Sequence, residues 1–241
     1  MYKAIIFDLD NTLLNYSKSE WESMQNTVNG HGVSQSETFD WDKFWRCFQK
    51  VNMQYWNDRN KAGHHILEVL EYSFKDTLKE LKCDDSVSQV LAGQYWETFC
   101  QTCHFEEYAP DLLSYLHGSY KLAIISNGIG EAQRGRLAAG GMDHYFDRLI
   151  ISDEVGYWKP DKKIFETALK QLDINHTEAL FIGDSLRDDY SGSVNAGIDF
   201  CFYNPKGIPL EKGFHPAFTI KSLQEVKEIL GNYTSGERET I

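Results

Sequence analysis

The chain has 241 residues, of which 41% are hydrophobic, enough for one large domain or two smaller ones. Its formal net charge of −12 repels polyanions and argues against a nucleic-acid polymer as partner, so any small anionic ligand needs local positive charge. Cys47, Cys83, Cys100, Cys103 and Cys201 are scattered and odd in number, which reads as reduced thiols. With no signal-peptide pattern at Met1–Asp8 and no apolar stretch long enough to cross a bilayer, the expectation is a cytoplasmic protein without a membrane partner.

Ala4-Ile5-Ile6-Phe7 is apolar without alternation, as in a strand buried on both faces of a parallel sheet. Residues 15–107 contain no convincing strand. Trp41, Phe44, Trp45, Phe48 and Val51 recur at helical spacing, as do Leu67, Leu70, Phe74, Leu78 and Leu81, and then Val87, Val90, Leu91 and Tyr95. Asp85-Ser86 is the expected N-cap of the last of these helices. This is a helical insert, and Pro110 marks the return to alternating elements. Strands are expected at Leu122–Ile125, Leu149–Ile151, Ala179–Ile182 and Phe200–Tyr203, with a short edge strand at Phe218–Ile220. Between them, Ile164, Phe165, Ala168, Leu169 and Leu172 share one helical face, and Ser222 with Glu225 forms a capping box ahead of Val226, Ile229 and Leu230. Strands alternating with helices predict βαβ units around a parallel sheet. The expected layout is an α/β core over 1–14 and 108–231, the helical insert over 15–107, and a polar tail over 232–241.

Chemistry-bearing residues fall at the strand ends. Asp8 and Asp10 follow the first strand, and residues two apart in an extended chain point the same way. Asp184 ends another strand, with Asp188 and Asp189 close behind. Carboxylates crowded together repel unless a cation joins them, and an oxygen-only donor set without nearby Cys or His suits Mg²⁺. An EF-hand is excluded, because Leu13 occupies the loop position that requires glycine. Ser126-Asn127-Gly128 offers a hydroxyl, an amide and an unhindered backbone N–H to a phosphate, and Lys159 before Pro160 offers an ammonium.

In order, Asp8-Leu9-Asp10-Asn11-Thr12, Ser126-Asn127-Gly128, Lys159-Pro160 and Gly183-Asp184-Ser185-Leu186-Arg187-Asp188-Asp189 resemble the four motifs of the haloacid dehalogenase superfamily. Gly183-Asp184-Ser185-Leu186 and the run Val155–Pro160 look most like its phosphatases of the pyrimidine 5′-nucleotidase type. The resemblance implies a Rossmann-like parallel sheet with helices on both faces and an inserted all-helical cap. It also implies a magnesium-dependent phosphatase acting on small phosphate monoesters, with nucleoside 5′-monophosphates favoured. Asp8 would be the nucleophile that takes up the phosphoryl group, and Asp10 the acid and then the base. Mg²⁺ would sit on Asp8, Asp184 and the Asp10 carbonyl, and Ser126, Asn127 and Lys159 would hold the phosphoryl oxygens. Asp188 and Asp189 both fit a spacing for the last acid; Asp189, eight residues before Gly197, is in the register associated with the family and is expected to serve the metal site through water or as a hydrogen-bond orienter. A phosphomutase would keep the same Asp pair. A haloacid dehalogenase lacks the second acid, so Asp10 argues against it. Nothing in the pattern sets an oligomeric state.

Other signals carry less. Cys100-Gln101-Thr102-Cys103-His104 matches a c-type haem attachment pattern but continues a helix and lacks an export signal. Gly128-Ile129-Gly130 fails as a dinucleotide fingerprint, because the third glycine is replaced by Gln133. His64, His65 and His104 have no ligand partners at metal spacing, which favours surface or capping roles. Arg59, Asn60, Lys61 and His64 are expected in a loop of the insert, and the insert tryptophans in its core.

Overall fold

The computed structural model describes the backbone of residues 1–37 and 39–234. The chain forms β1 (Ala4–Phe7), α1 (Tyr16–Gly30), α2 (Trp41–Ala62), α3 (Ile66–Glu80), α4 (Ser88–Gln101), α5 (Ala109–Leu116) and β2 (Lys121–Ser126). It continues with α6 (Gly130–Ala139), β3 (Arg148–Ile151), α7 (Ser152–Val155), α8 (Lys162–Leu172), β4 (Ala179–Gly183), α9 (Ser191–Asn195), β5 (Asp199–Tyr203), β6 (Phe218–Ile220) and α10 (Glu225–Thr234). The expected tail from 235 onward lies outside the described residues, and α10 itself carries the chain through Thr234.

Two compact units result, one formed by Met1–Ser17 with Cys103–Ile241 and the other by Lys18–Thr102. The first holds a six-stranded sheet in the order β3-β2-β1-β4-β5-β6. Every pairing is parallel, with Phe7 opposite Ile124 of β2 and Ile182 of β4. The chain moves outward from β1 to β3, then returns with β4 on the other side of β1. The carboxyl ends of β1 and β4 therefore meet at the switch point where open α/β sheets bind ligands.

Each central strand is apolar throughout because both its faces are covered. Ile5, Phe7, Leu122, Ile124, Leu180 and Ile182 pack on one face with Leu112, Leu116, Val226 and Leu230 of α5 and α10. Ala4, Ile6, Ala123, Ile125 and Phe181 pack on the other with Ile164, Phe165, Ala168 and Leu172 of α8. The cap of α10 is partly as expected: the Glu225 carboxylate accepts from the Ser222 N–H at 2.8 Å, but also from Lys221 at 2.8 Å. Residues just after 102 group with the sheet because the backbone ties them there, Asn15 N–H to the His104 carbonyl at 2.8 Å and Glu106 N–H to Leu13 at 2.9 Å.

The helical unit has an aromatic core. Trp21 stands edge-on to Trp41 and Trp45 at 5.3 and 5.2 Å, and Phe48 packs on Phe74 at 4.8 Å and on Tyr95. Three local expectations change. Asp85-Ser86 does not cap α4: the helix begins at Ser88 after Val87, no side chain caps it, and Asp85 contributes only its carbonyl to the Ser88 N–H. Residues 59–62 are not a loop, because α2 runs on to Ala62 and ends where Gly63 adopts a left-handed φ of 70°. Leu67 and Val90, expected on apolar faces, are exposed. His65 does take a capping role, accepting from the Leu67 N–H at 3.4 Å, while its own N–H donates to Glu68 at 2.8 Å. All five cysteines are free thiols, Cys100 buried and Cys103 partly so. Among the described residues no helix is long and apolar enough to cross a membrane.

Candidate active site

Asp8 leaves the end of β1 with its N–H on the Ile182 carbonyl at 2.8 Å, which sets it beside the end of β4. Carboxylate oxygens of Asp8, Asp184 and Asp189 lie within 4.8 Å of one another. Asp8 and Asp189 are buried and Asp184 is half-buried. Asp188 is outside this set; its N–H donates to Ser185 Oγ at 3.1 Å, so the geometry brings Asp189 and not Asp188 to the acids.

One turn of π-helix over Leu186–Tyr190 aims Asp189 back at β4. Its Oδ2 accepts from the Ser185 N–H at 3.0 Å. Gly183 makes room: a Cβ there would stand 2.3 Å from Asp189 Oδ2. Glycine is required at this point for space.

Lys159 answers the acids. Its buried Nζ pairs with Asp8 Oδ1 and lies 2.7 Å from Asp189 Oδ1. Its backbone is gripped by Asn127, whose Nδ2 donates to the Lys159 carbonyl at 3.0 Å and whose Oδ1 accepts from the Lys159 N–H at 2.8 Å. Asn127 was expected as a phosphate ligand; its side chain holds the Lys159 backbone, with one hydrogen of its Nδ2 not used in that grip.

Burial pushes Asp8 well above the ordinary carboxylate range; Lys159 opposes the rise, and Asp189 and Asp184 add to it. Burial and then Asp189 push Asp184 up to about 7, and burial also raises Asp188. Burial works against the Lys159 ammonium, but Asp189 and Asp8 outweigh it and raise its pKa. The cluster thus has more negative charge than its lysine balances. The donor set of Asp8, Asp184 and Asp189 is all oxygen and carries excess negative charge, which suits a hard divalent cation.

Asp10 has partners of its own outside this set. Its Oδ1 lies 2.7 Å from Arg136 Nη2, and its Oδ2 accepts from Gln133 Nε2 at 2.9 Å. The same Gln133 nitrogen donates to Ser126 Oγ at 2.7 Å, and its oxygen accepts from Arg136. Reading the sequence alone passes over Gln133 and Arg136. The available signal is their i, i+3 spacing on α6, which puts both on one face while the neighbouring Arg134 turns outward to Glu154.

The switch point of the parallel sheet thus gathers Asp8, Asp184, Asp189 and Lys159 into one charged cluster. Residues 5–203 match the family of haloacid dehalogenase-like hydrolases, and the chain belongs to that family. It is 30% identical over 227 residues to "Pyrimidine 5′-nucleotidase YjjG" of Escherichia coli (strain K12), covering 94% of this chain and 96% of that one. It is 29% identical over 202 residues to a glyceraldehyde 3-phosphate phosphatase of Methanopyrus kandleri, covering 82% of each chain. Among solved structures, the magnesium-bound HAD-hydrolase YfnB of Bacillus subtilis superposes with a TM-score of 0.78 at 26% identity, over 95% of this chain and 98% of that one.

Proposed function

We propose that the protein is a magnesium-dependent phosphatase of small phosphate monoesters, with nucleoside 5′-monophosphates as the favoured substrates. The observation that carries this reading is the convergence of Asp8, Asp184 and Asp189 around Lys159, with a further carboxylate, Asp10, two residues from Asp8. The nucleotide preference draws on the likeness to the pyrimidine 5′-nucleotidase.

Asp8, Asp184 and Asp189 would hold Mg²⁺ together with the Asp10 carbonyl; when bound, the ion supplies positive charge that lets one anion approach another. An Asp8 carboxylate oxygen attacks phosphorus as the ester P–O bond breaks, giving an aspartyl-phosphate. Asp10 gives its proton to the leaving oxygen. Water then attacks phosphorus, Asp10 takes back a proton, and the bond to Asp8 breaks to release phosphate. Lys159 and the Ser126 hydroxyl hold the phosphoryl oxygens as charge redistributes. Dehalogenation would leave Asp10 without a task. The helical unit Lys18–Thr102 is assigned the part of a cap that selects substrates.

The test is hydrolysis of para-nitrophenyl phosphate by the purified protein, followed by a panel of nucleotide and sugar phosphates. Activity should require Mg²⁺ and vanish in Asp8→Asn. Normal turnover by that variant would sink the mechanism, and a sugar phosphate outrunning every nucleotide would overturn the substrate preference.

A further inference from the structure

The hydrogen-bond polarity around Asp10 has a single consistent solution. Arginine only donates, so the Gln133 oxygen must face Arg136 and its nitrogen must face the opposite way. That nitrogen has two hydrogens and two acceptors in reach, Asp10 Oδ2 at 2.9 Å and Ser126 Oγ at 2.7 Å. Ser126 Oγ therefore accepts, and its own hydrogen is left to donate into the site. The carboxamide cannot flip without setting oxygen against carboxylate.

The surroundings reinforce this arrangement. Arg136 is fully buried and also touches Asp10 Oδ1 at 2.7 Å. Gln133 is buried too, and it lies so close to Gly128 that a Cβ there would stand 2.4 Å from its Nε2. A buried cation whose Nη2 reaches both a glutamine oxygen and a carboxylate is more than an α6 helix needs for packing.

We propose that Arg136 and Gln133 are positioning residues for phosphoryl transfer. Arg136 fixes the sense of the Gln133 carboxamide; Gln133 then aims the Asp10 carboxylate and turns the Ser126 hydroxyl towards the phosphoryl group. This rests on the reading of Asp10 as acid and base.

The test compares kcat/KM for phenyl phosphate, whose leaving group needs a proton, with para-nitrophenyl phosphate, whose leaving group needs it less. The variants are Arg136→Met, Arg136→Lys, Gln133→Leu and Asp10→Asn, each with Mg²⁺, alongside thermal melting and competitive inhibition by inorganic phosphate. Arg136→Met and Gln133→Leu should lose about tenfold more on phenyl phosphate than on para-nitrophenyl phosphate, a part of what a general acid contributes. Both should weaken inhibition by phosphate, and Arg136→Lys should fall between them and the native protein. Adding Arg136→Met to Asp10→Asn should bring no further sensitivity to the leaving group, since the residues act as a unit. If Asp10→Asn is selective while Gln133→Leu and Arg136→Met slow both esters alike, the positioning role is overturned. If Asp10→Asn itself slows both esters alike, the acid–base reading has failed first. Should Arg136→Met not fold, Gln133→Leu, which keeps the buried cation, decides the matter in the same way.

Discussion

Lys159→Met removes the ammonium that faces Asp8 and Asp189 while keeping most of the apolar stem. Breaking a buried ion pair by removing one partner costs about 3–5 kcal/mol, because the charge left behind is uncompensated. Lys159 and both its partners are buried, so this range applies with little screening. For a chain of this size each kcal/mol shifts the melting temperature by about 2–4 °C, which gives a drop of about 6–20 °C at pH 8 in EDTA. The abandoned carboxylates will take up a proton where they can. If the folded variant binds one proton more than the folded native protein does, its deficit shrinks by about 1.4 kcal/mol for each unit the pH falls. Mg²⁺ should recover part of the loss at pH 8 by supplying the missing charge. Melting followed by circular dichroism at pH 5.5 and 8, with EDTA and with Mg²⁺, measures all three effects against the native protein. A deficit equal at both pH values and untouched by Mg²⁺ would refute the claim that charge balance, rather than packing, is what Lys159 supplies.

Gly183→Ala should displace the Asp189 carboxylate, because the new Cβ would stand 2.3 Å from its Oδ2; magnesium affinity measured by calorimetry should fall, and unchanged affinity would count against Asp189 as part of the ion site. Asp184, held up at about 7 against an ordinary 3.8, binds its proton more tightly in the folded state. The metal-free protein should therefore lose stability as pH rises between about 4 and about 7, and the stabilisation by Mg²⁺ should grow over the same window; denaturant titrations showing a constant Mg²⁺ increment would contradict this. Phe48→Ala opens the aromatic centre of the helical unit and should destabilise it by about 3–5 kcal/mol, seen as early loss of protection from hydrogen exchange over Lys18–Thr102. Loss spread equally over the sheet would show that the two units unfold together.

The strands were legible because parallel, doubly covered strands are apolar at every position, as Ala4–Phe7 and Ala179–Ile182 are, and few other elements of that length are. The acids were legible because they stand immediately after those runs. Local closures were harder to read. Asp85-Ser86 has the composition of a cap, yet the turn uses Asp85 through its carbonyl, a choice among near-equal hydrogen bonds that composition does not reveal. The helix runs on through Arg59–Ala62 and ends on the conformation of Gly63, where polarity alone suggested a loop from Arg59 onward. Asn127, Gln133 and Arg136 act through partners 32, 123 and 126 residues away or reach across a helix turn, and such pairings exist only after the sheet has closed.

The central strand has consequences for how the molecule is made. β1 emerges first during synthesis, but its two neighbours begin only at Lys121 and Ala179. Asp8 therefore spends most of translation as an ordinary solvated acid. The contiguous helices between, rich in local contacts, can assemble without waiting for it. Like charges are brought together only when β4 docks beside β1, so their repulsion is expected to arise after the first contacts of the folding nucleus. A cation that relieves it should then slow unfolding far more than it speeds folding, making the metal a brake on the escape from the native state.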